Sequence, residues 1–223
     1  MIRRLISFVV PLAALVAAAV VPLRAEATTI ERVVSPGGIE AWLVREPSLP
    51  LIAVNFAFRG GANDDPELKA GTGNMVASLL DDGAGELDAK AFQQRLEDNA
   101  VEMRFSITRD YFYGSVRMLR DRQTQAFDLL RLALNEPRFD ADAINRIRSQ
   151  VQVGLRRETT DPNSIANRTW WKTAFANHPY SRPNSGTLES VPLIGADDLR
   201  SYAKRVLTRG ALKDRKSTRL NSS

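Results

Sequence analysis

The chain has 223 residues, a length for one domain or a little more, and with 43% hydrophobic and 26% charged residues it has an ordinary folding composition. Its formal charge is +5, from 31 basic and 26 acidic residues, with a pI near 9.8, which taken at face value suggests a nucleic-acid or anionic-membrane partner. Cysteine is absent and histidine occurs once, as His178; this excludes zinc fingers, His-rich catalytic zinc sites, Cys–His nucleophile pairs and disulfide frameworks within this chain, and a Ser-His-Asp triad would have to use His178.

In chain order, Arg3 and Arg4 precede an apolar run over 5–23 and then Ala25-Glu26-Ala27. A basic start, an apolar stretch and an A-x-A site make a secretory signal peptide over 1–27, cleaved after Ala27. The chain is then expected in the periplasm or outside the cell, with no stable membrane insertion after cleavage. The alternative for the same run is an uncleaved anchor, since its length is near the minimum that spans a bilayer.

Residues 29–36 and 39–45 are two short β-prone runs joined at Gly37-Gly38, a hairpin signal. Residues 51–58 predict a third strand, buried on both faces, and 59–68 a polar loop holding Asp64, Asp65 and Glu67. Apolar residues at helical spacing predict a helix over 71–80 and another over 88–99 with Asp88 as its cap. Val101, Met103, Phe105 and Ile107 alternate with polar residues, a half-buried strand expected to pair with 111–118. Helices follow: one with Ala126, Phe127, Leu130, Ala133 and Leu134 on one face and ended by Pro137, one opened by Asp140, one over 165–175 and one over 196–207. Strands and helices segregate, so the fold class is α+β, an antiparallel sheet with helices packed on it, and not doubly wound α/β.

The tail 214–223 is polar, basic and aperiodic, and one reverse translation of it is a sequencing-library adapter. These ten residues are therefore expected to be non-biological, with the reading frame interrupted after Lys213. The charge then reads differently. Residues 1–27 hold three arginines against one glutamate, and 214–223 hold three basic residues against one aspartate, leaving a net charge of +1 for 28–213. That removes the argument for nucleic acid.

Four segments together resemble the pitrilysin/insulinase metallopeptidases, the inverzincins. They are the opening strands with 51–61 and the acidic loop; Lys69-Ala-Gly-Thr-Gly-Asn-Met-Val-Ala-Ser-Leu-Leu-Asp-Asp-Gly83, where the family has its metal helix; Asn135-Glu-Pro-Arg-Phe139 with the helix running to Asp161-Pro162; and His178-Pro-Tyr-Ser-Arg-Pro-Asn-Ser-Gly-Thr187 with Leu199 beyond. The resemblance implies the family's N-terminal peptidase domain over 28–213, incomplete, with its last strand and the second domain missing and a sheet edge left unpaired. The family motif is H-x-x-E-H, two histidines on one helical face sharing zinc and a glutamate acting on the metal-bound water. Here the matching positions are Asn74, Ala77 and Ser78, and the downstream metal glutamate falls near Val153 and Gly154. One histidine cannot build that motif under any alignment.

The resemblance therefore implies a non-catalytic subunit that binds no metal of its own and is inactive alone. It would enclose and bind peptide substrate beside a catalytic H-x-x-E-H partner that carries the zinc. The alternative is a periplasmic binding or scaffold protein that kept the fold without a proteolytic role. For the other conspicuous residues the expectations are plain. His178 is a structural loop residue with a hydrogen-bonded ring. Asp64, Asp65, Glu67, Asp81 and Asp82 are solvated loop charges. Arg146, Arg148, Arg156 and Arg157 form a wet helix face. One ring of Trp170-Trp171 fills the core and the other is free for a partner. Gly71, Gly73, Gly83 and Gly85 lack the Lys and Ser/Thr of a phosphate loop. Ser78 could act as a nucleophile only with His178 as its base.

Overall fold

The computed structural model describes residues 29–212, and the chain divides at Glu46/Pro47 into two units. The apolar run over 5–23 and the tail 214–223 lie outside the described residues. The first unit is a hairpin of β1 (Ile30–Val34) and β2 (Glu40–Val44), paired antiparallel from Ile30↔Val44 to Val34↔Glu40. Its turn is closed by Gly38 N–H donating to Ser35 O at 2.8 Å, with Gly38 at φ +79°, a conformation glycine adopts without strain. Arg32 pairs with Glu40 across the strands, and Arg45 with Glu31 at 2.9 Å.

The second unit is built on β3 (Leu51–Arg59), β4 (Glu102–Ile107) and β5 (Tyr111–Leu119), in the order β3-β5-β4, all antiparallel. The register places like with like on each face. Ile52, Val54, Phe56 and Phe58 of β3 stand opposite Met118, Val116, Gly114 and Phe112 of β5, and Met103, Phe105 and Ile107 of β4 face Val116, Gly114 and Phe112. Period-two side chains thus form one apolar face. Gly114 is required at its centre, because the Phe56 ring lies across it and a Cβ there would sit 2.1 Å from Phe56 Cζ.

The helices are α1 (Thr72–Ala77), α2 (Ala89–Asp98), α3 (Gln123–Asn135), α4 (Ala141–Glu158), α5 (Pro162–Ala174) and α6 (Ala196–Val206). The α+β class and the pairing of 101–107 with 111–118 are as the sequence predicts. The strand over 51–58 is not buried on both faces. It lies at the edge of the three strands, Leu51 is 55% exposed, and Ala53 and Asn55 are open, because helices bury only the other face. On α3 Ala126, Leu130 and Ala133 face inward as expected and Leu129 joins them, while Phe127 stays exposed.

Two groups of buried side chains fill the space under the sheet. One joins Phe58 and Phe112 to Met75, Val76, Leu79 and Leu80, Ile144 and Leu155 of α4, and Leu199, Tyr202 and Val206 of α6. The other joins Met103, Val116 and Met118 to Phe92 and Leu96 of α2 and to Ala126, Leu129 and Ala133 of α3. Phe56, Phe105 and Leu134 pack against both.

Candidate functional site

The segment before α1 is held by a buried carboxylate. Asp65, 5% exposed, accepts the N–H of Gly71 at 2.7 Å and of Gly73 at 2.8 Å. Burial pushes its carboxyl up to about 6, against the pull of those two N–H bonds and of Arg182 and Arg205. Arg182 donates to Asp65 O and Asn63 O, and Ser190 Oγ donates to Ala70 O at 2.7 Å, so the segment after α5 clamps the start of α1. Gly71 sits at φ +96°, and a Cβ on Gly73 would lie 2.6 Å from Tyr202 Oη. Glycine is needed there for close approach, and no phosphate cradle is involved.

Of the five acidic residues, Asp64 and Glu67 are exposed as expected, whereas Asp65, Asp81 and Asp82 differ from the solvated-loop expectation. Asp65 is buried, Asp64 accepts the Gly61 N–H at 3.1 Å, and Asp82 accepts Arg146. Burial raises the carboxyls of Asp81 and Asp82 above the usual range. Arg148 leaves the expected wet face and donates to Ile194 O at 2.7 Å, whereas Arg146 stays exposed as expected while pairing with Asp82. Tertiary partners distant in sequence bring these charges in, which helical periodicity alone does not reveal.

At the positions matching H-x-x-E-H, Asn74 is half-buried, Ala77 is 6% exposed inside the first core group, and Ser78 is exposed with its Oγ donating to Asn74 O at 3.0 Å. On α4, Val153 is exposed and a Cβ on Gly154 would meet nothing within 4 Å. An amide, a methyl and a hydroxyl, with no carboxylate at 153 or 154, do not fit a zinc ion that takes imidazole and carboxylate ligands. Among the described residues, no three His, Asp or Glu side chains come together in a way that could hold a metal. His178 is a loop residue. Its Nδ1 accepts the Tyr180 N–H at 3.2 Å, its ring stands edge-on to Tyr180, and it is not hydrogen-bonded to Ser78.

Asn74 forms part of the wall of a cleft of about 480 Å³ between α1, the end of β4, α5 and the 181–185 segment. Four asparagines line it: Asn74, Asn163, Asn167 and Asn184. Asn163 and Asn167 are four apart on α5 and so share a helical face, the one pattern in the sequence that could have disclosed them. Glu158 and Arg168 on the wall pair with each other at 2.9 Å. Arg109, which the sequence presents only as a turn residue, stacks its guanidinium 3.4 Å from the Trp171 ring centre and donates Nε–H to Tyr180 O at 3.2 Å. Trp171 also stacks on Phe175 at 5.1 Å, and Tyr180 Oη donates to Asp110 at 2.8 Å. Neither tryptophan fills the core: Trp170 is 57% exposed, and no residue of α5 is buried.

Comparison with known proteins gives a consistent set of likenesses. The family model for insulinase (peptidase family M16) matches residues 43–188. The protein named Non-peptidase homolog YmxG of Helicobacter pylori (strain ATCC 700392 / 26695) is 28% identical over 71% of this chain and 37% of its own length. A probable mitochondrial-processing peptidase subunit beta of Arabidopsis thaliana is 21% identical over 76% of this chain and 32% of its own. Among solved structures, the peptidase M16 inactive domain from Pseudomonas fluorescens superposes with a TM-score of 0.77 at 22% identity, covering 82% of this chain and 45% of that one. Pitrilysin superposes with a TM-score of 0.72 at 18% identity, over 85% and 21%. The chain thus spans less than half the length of these relatives.

Proposed function

The chain belongs to the insulinase family, peptidase family M16, and from that premise we propose that it is a non-catalytic, metal-free subunit of an exported pitrilysin-type zinc protease. The observation that carries this reading is the helix at the family's metal position, where Asn74, Ala77 and Ser78 stand and line or adjoin a polar cleft. The names of the Helicobacter pylori and Pseudomonas fluorescens relatives support the same reading.

In this reading zinc and the general base belong to a partner subunit carrying H-x-x-E-H. This chain's residues bind and orient peptide. The asparagine amides of the cleft each offer both a donor and an acceptor, which suits the alternating N–H and C=O of an extended peptide backbone. The signal-peptide pattern at 1–27 supports a periplasmic or secreted location. Recombinant protein is expected to hold far less than one zinc per chain and to cleave no peptide alone. It is expected to bind peptide, and to raise peptide cleavage by an H-x-x-E-H subunit encoded beside it. Metal analysis showing one zinc per chain, or cleavage by the isolated chain, overturns the proposal. If the H-x-x-E-H subunit gains no activity from it, the binding or scaffold alternative replaces it.

A further inference from the structure

The cleft carries an unbalanced charge. Of the charged groups on its wall, Glu158 and Arg168 neutralise each other, whereas Arg109 makes no ion pair among the described residues. Arg109 is also fixed in place. Its plane lies on Trp171, Trp171 is backed by Phe175, and Nε is committed to Tyr180 O. Its two terminal nitrogens have no hydrogen-bond partner among the described residues. Asp110, whose charge acts on Arg109, lies off the cleft wall and accepts from both Tyr180 and Asn63. A guanidinium held on an aromatic face with both terminal nitrogens free is arranged for a two-pronged bond to a planar anion. Beside it, Asn184 Oδ1 is buried without a partner, so turning that amide toward a ligand costs its carbonyl no existing bond.

We propose that this cleft selects peptides by a carboxylate, from an acidic side chain or a free C-terminus, with Arg109 as the specificity-determining residue. The inference rests on the peptide-binding role proposed above and names the class of peptide bound. Arg109 contributes the charge and the fork, Trp171 holds its plane, and the asparagines take the neighbouring backbone groups.

The test uses the full chain and labelled peptides read by fluorescence anisotropy at low salt. Two matched pairs are needed, both end-blocked except where stated: one differing only in glutamate against glutamine at one position, the other in a free against an amidated C-terminus. The expected result is a preference of about tenfold or more for the carboxylate member of at least one pair, and which pair responds identifies its source. Arg109→Met is expected to remove the preference. Arg109→Lys, which keeps the charge but loses the fork, is expected to keep part of it, and decides the matter should Arg109→Met not fold. Equal affinities within both pairs overturn this proposal and leave the peptide-binding role standing. A preference that survives Arg109→Met in folded protein also overturns it. Absence of binding to any of the four peptides overturns both readings.

Discussion

Asp65 is the one charged residue among the buried ones of the described residues, and its surroundings set a pH dependence. Its carboxyl titrates near 6 in the fold against an ordinary value of 3.8, because burial outweighs the two N–H bonds and the two nearby arginines. The folded state therefore holds the proton more tightly than the unfolded chain does. The stability this group contributes is complete below about pH 3.8 and is lost as pH rises through about 6. Compared with Asp65→Asn, which does not titrate, wild-type protein is expected to lose up to about 3 kcal/mol of unfolding free energy between pH 4 and pH 7. Urea unfolding of the two proteins across that range measures it, and a constant difference between them contradicts the assignment. Nothing in the run Asn63-Asp64-Asp65 distinguishes Asp65 from its neighbour. The distinction comes from Gly71, Gly73 and Arg182, which reach it only in the folded chain.

The helix starts are where local sequence and local structure agree most closely. Asp88 precedes α2 and its Oδ1 accepts the Ala91 N–H at 2.8 Å; Asp161 precedes α5 and accepts the Ser164 N–H at 2.8 Å, with Pro162 at the first helical position. Asp88 is the cap the sequence predicts, whereas the helix expected over 165–175 begins earlier, at Pro162, because Asp161 caps it. Asp140 is the counter-example. Arg138 Nε takes its carboxylate at 2.7 Å, and no side-chain cap forms on α4. Asp88→Ala is therefore expected to cost about 1 kcal/mol by thermal or urea unfolding, since it leaves a helix N–H without its partner. A change below a few tenths would show that α2 is held by Phe92 and Leu96 alone. The same limit of local reading explains α5. Its apolar residues suggest a buried face, yet Ile165 and Trp170 are exposed and Trp171 is only half-buried, its ring covered by Arg109 and Phe175.

In the 47–212 unit, the two buried groups share Phe56, Phe105 and Leu134, and two of these lie on strands paired through Gly114. Neither group can lose its packing without exposing residues of the other, so the unit is expected to open as one. In native-state hydrogen exchange, the amides of Ala133 in α3 and Ile144 in α4 should report the same opening free energy. Two distinct values would mean that the shared residues do not couple the groups. The charge of the molecule argues in the same direction as its family. With a net charge of +1 over 28–213, the high pI belongs mainly to the two ends and does not mark a nucleic-acid surface.

The family, the α+β class, the strand pairing and the lack of a histidine pair were legible from the residues alone. Each depends on local periodicity, ordered motifs or a count, and none requires knowing which distant segments meet. The edge position of β3, the burial of Asp65, the pairing of Arg146 and the open tryptophans required the fold, because burial is a property of neighbours far along the chain. The cleft is the clearest case. Arg109 lies 62 residues before Trp171 and Asn184 a further 13 beyond it, and the three carry no shared pattern. Only the packing of α5 and the 181–185 segment against β4 and α1 turns a turn arginine into a held cation, without an ion pair among the described residues, beside four amides.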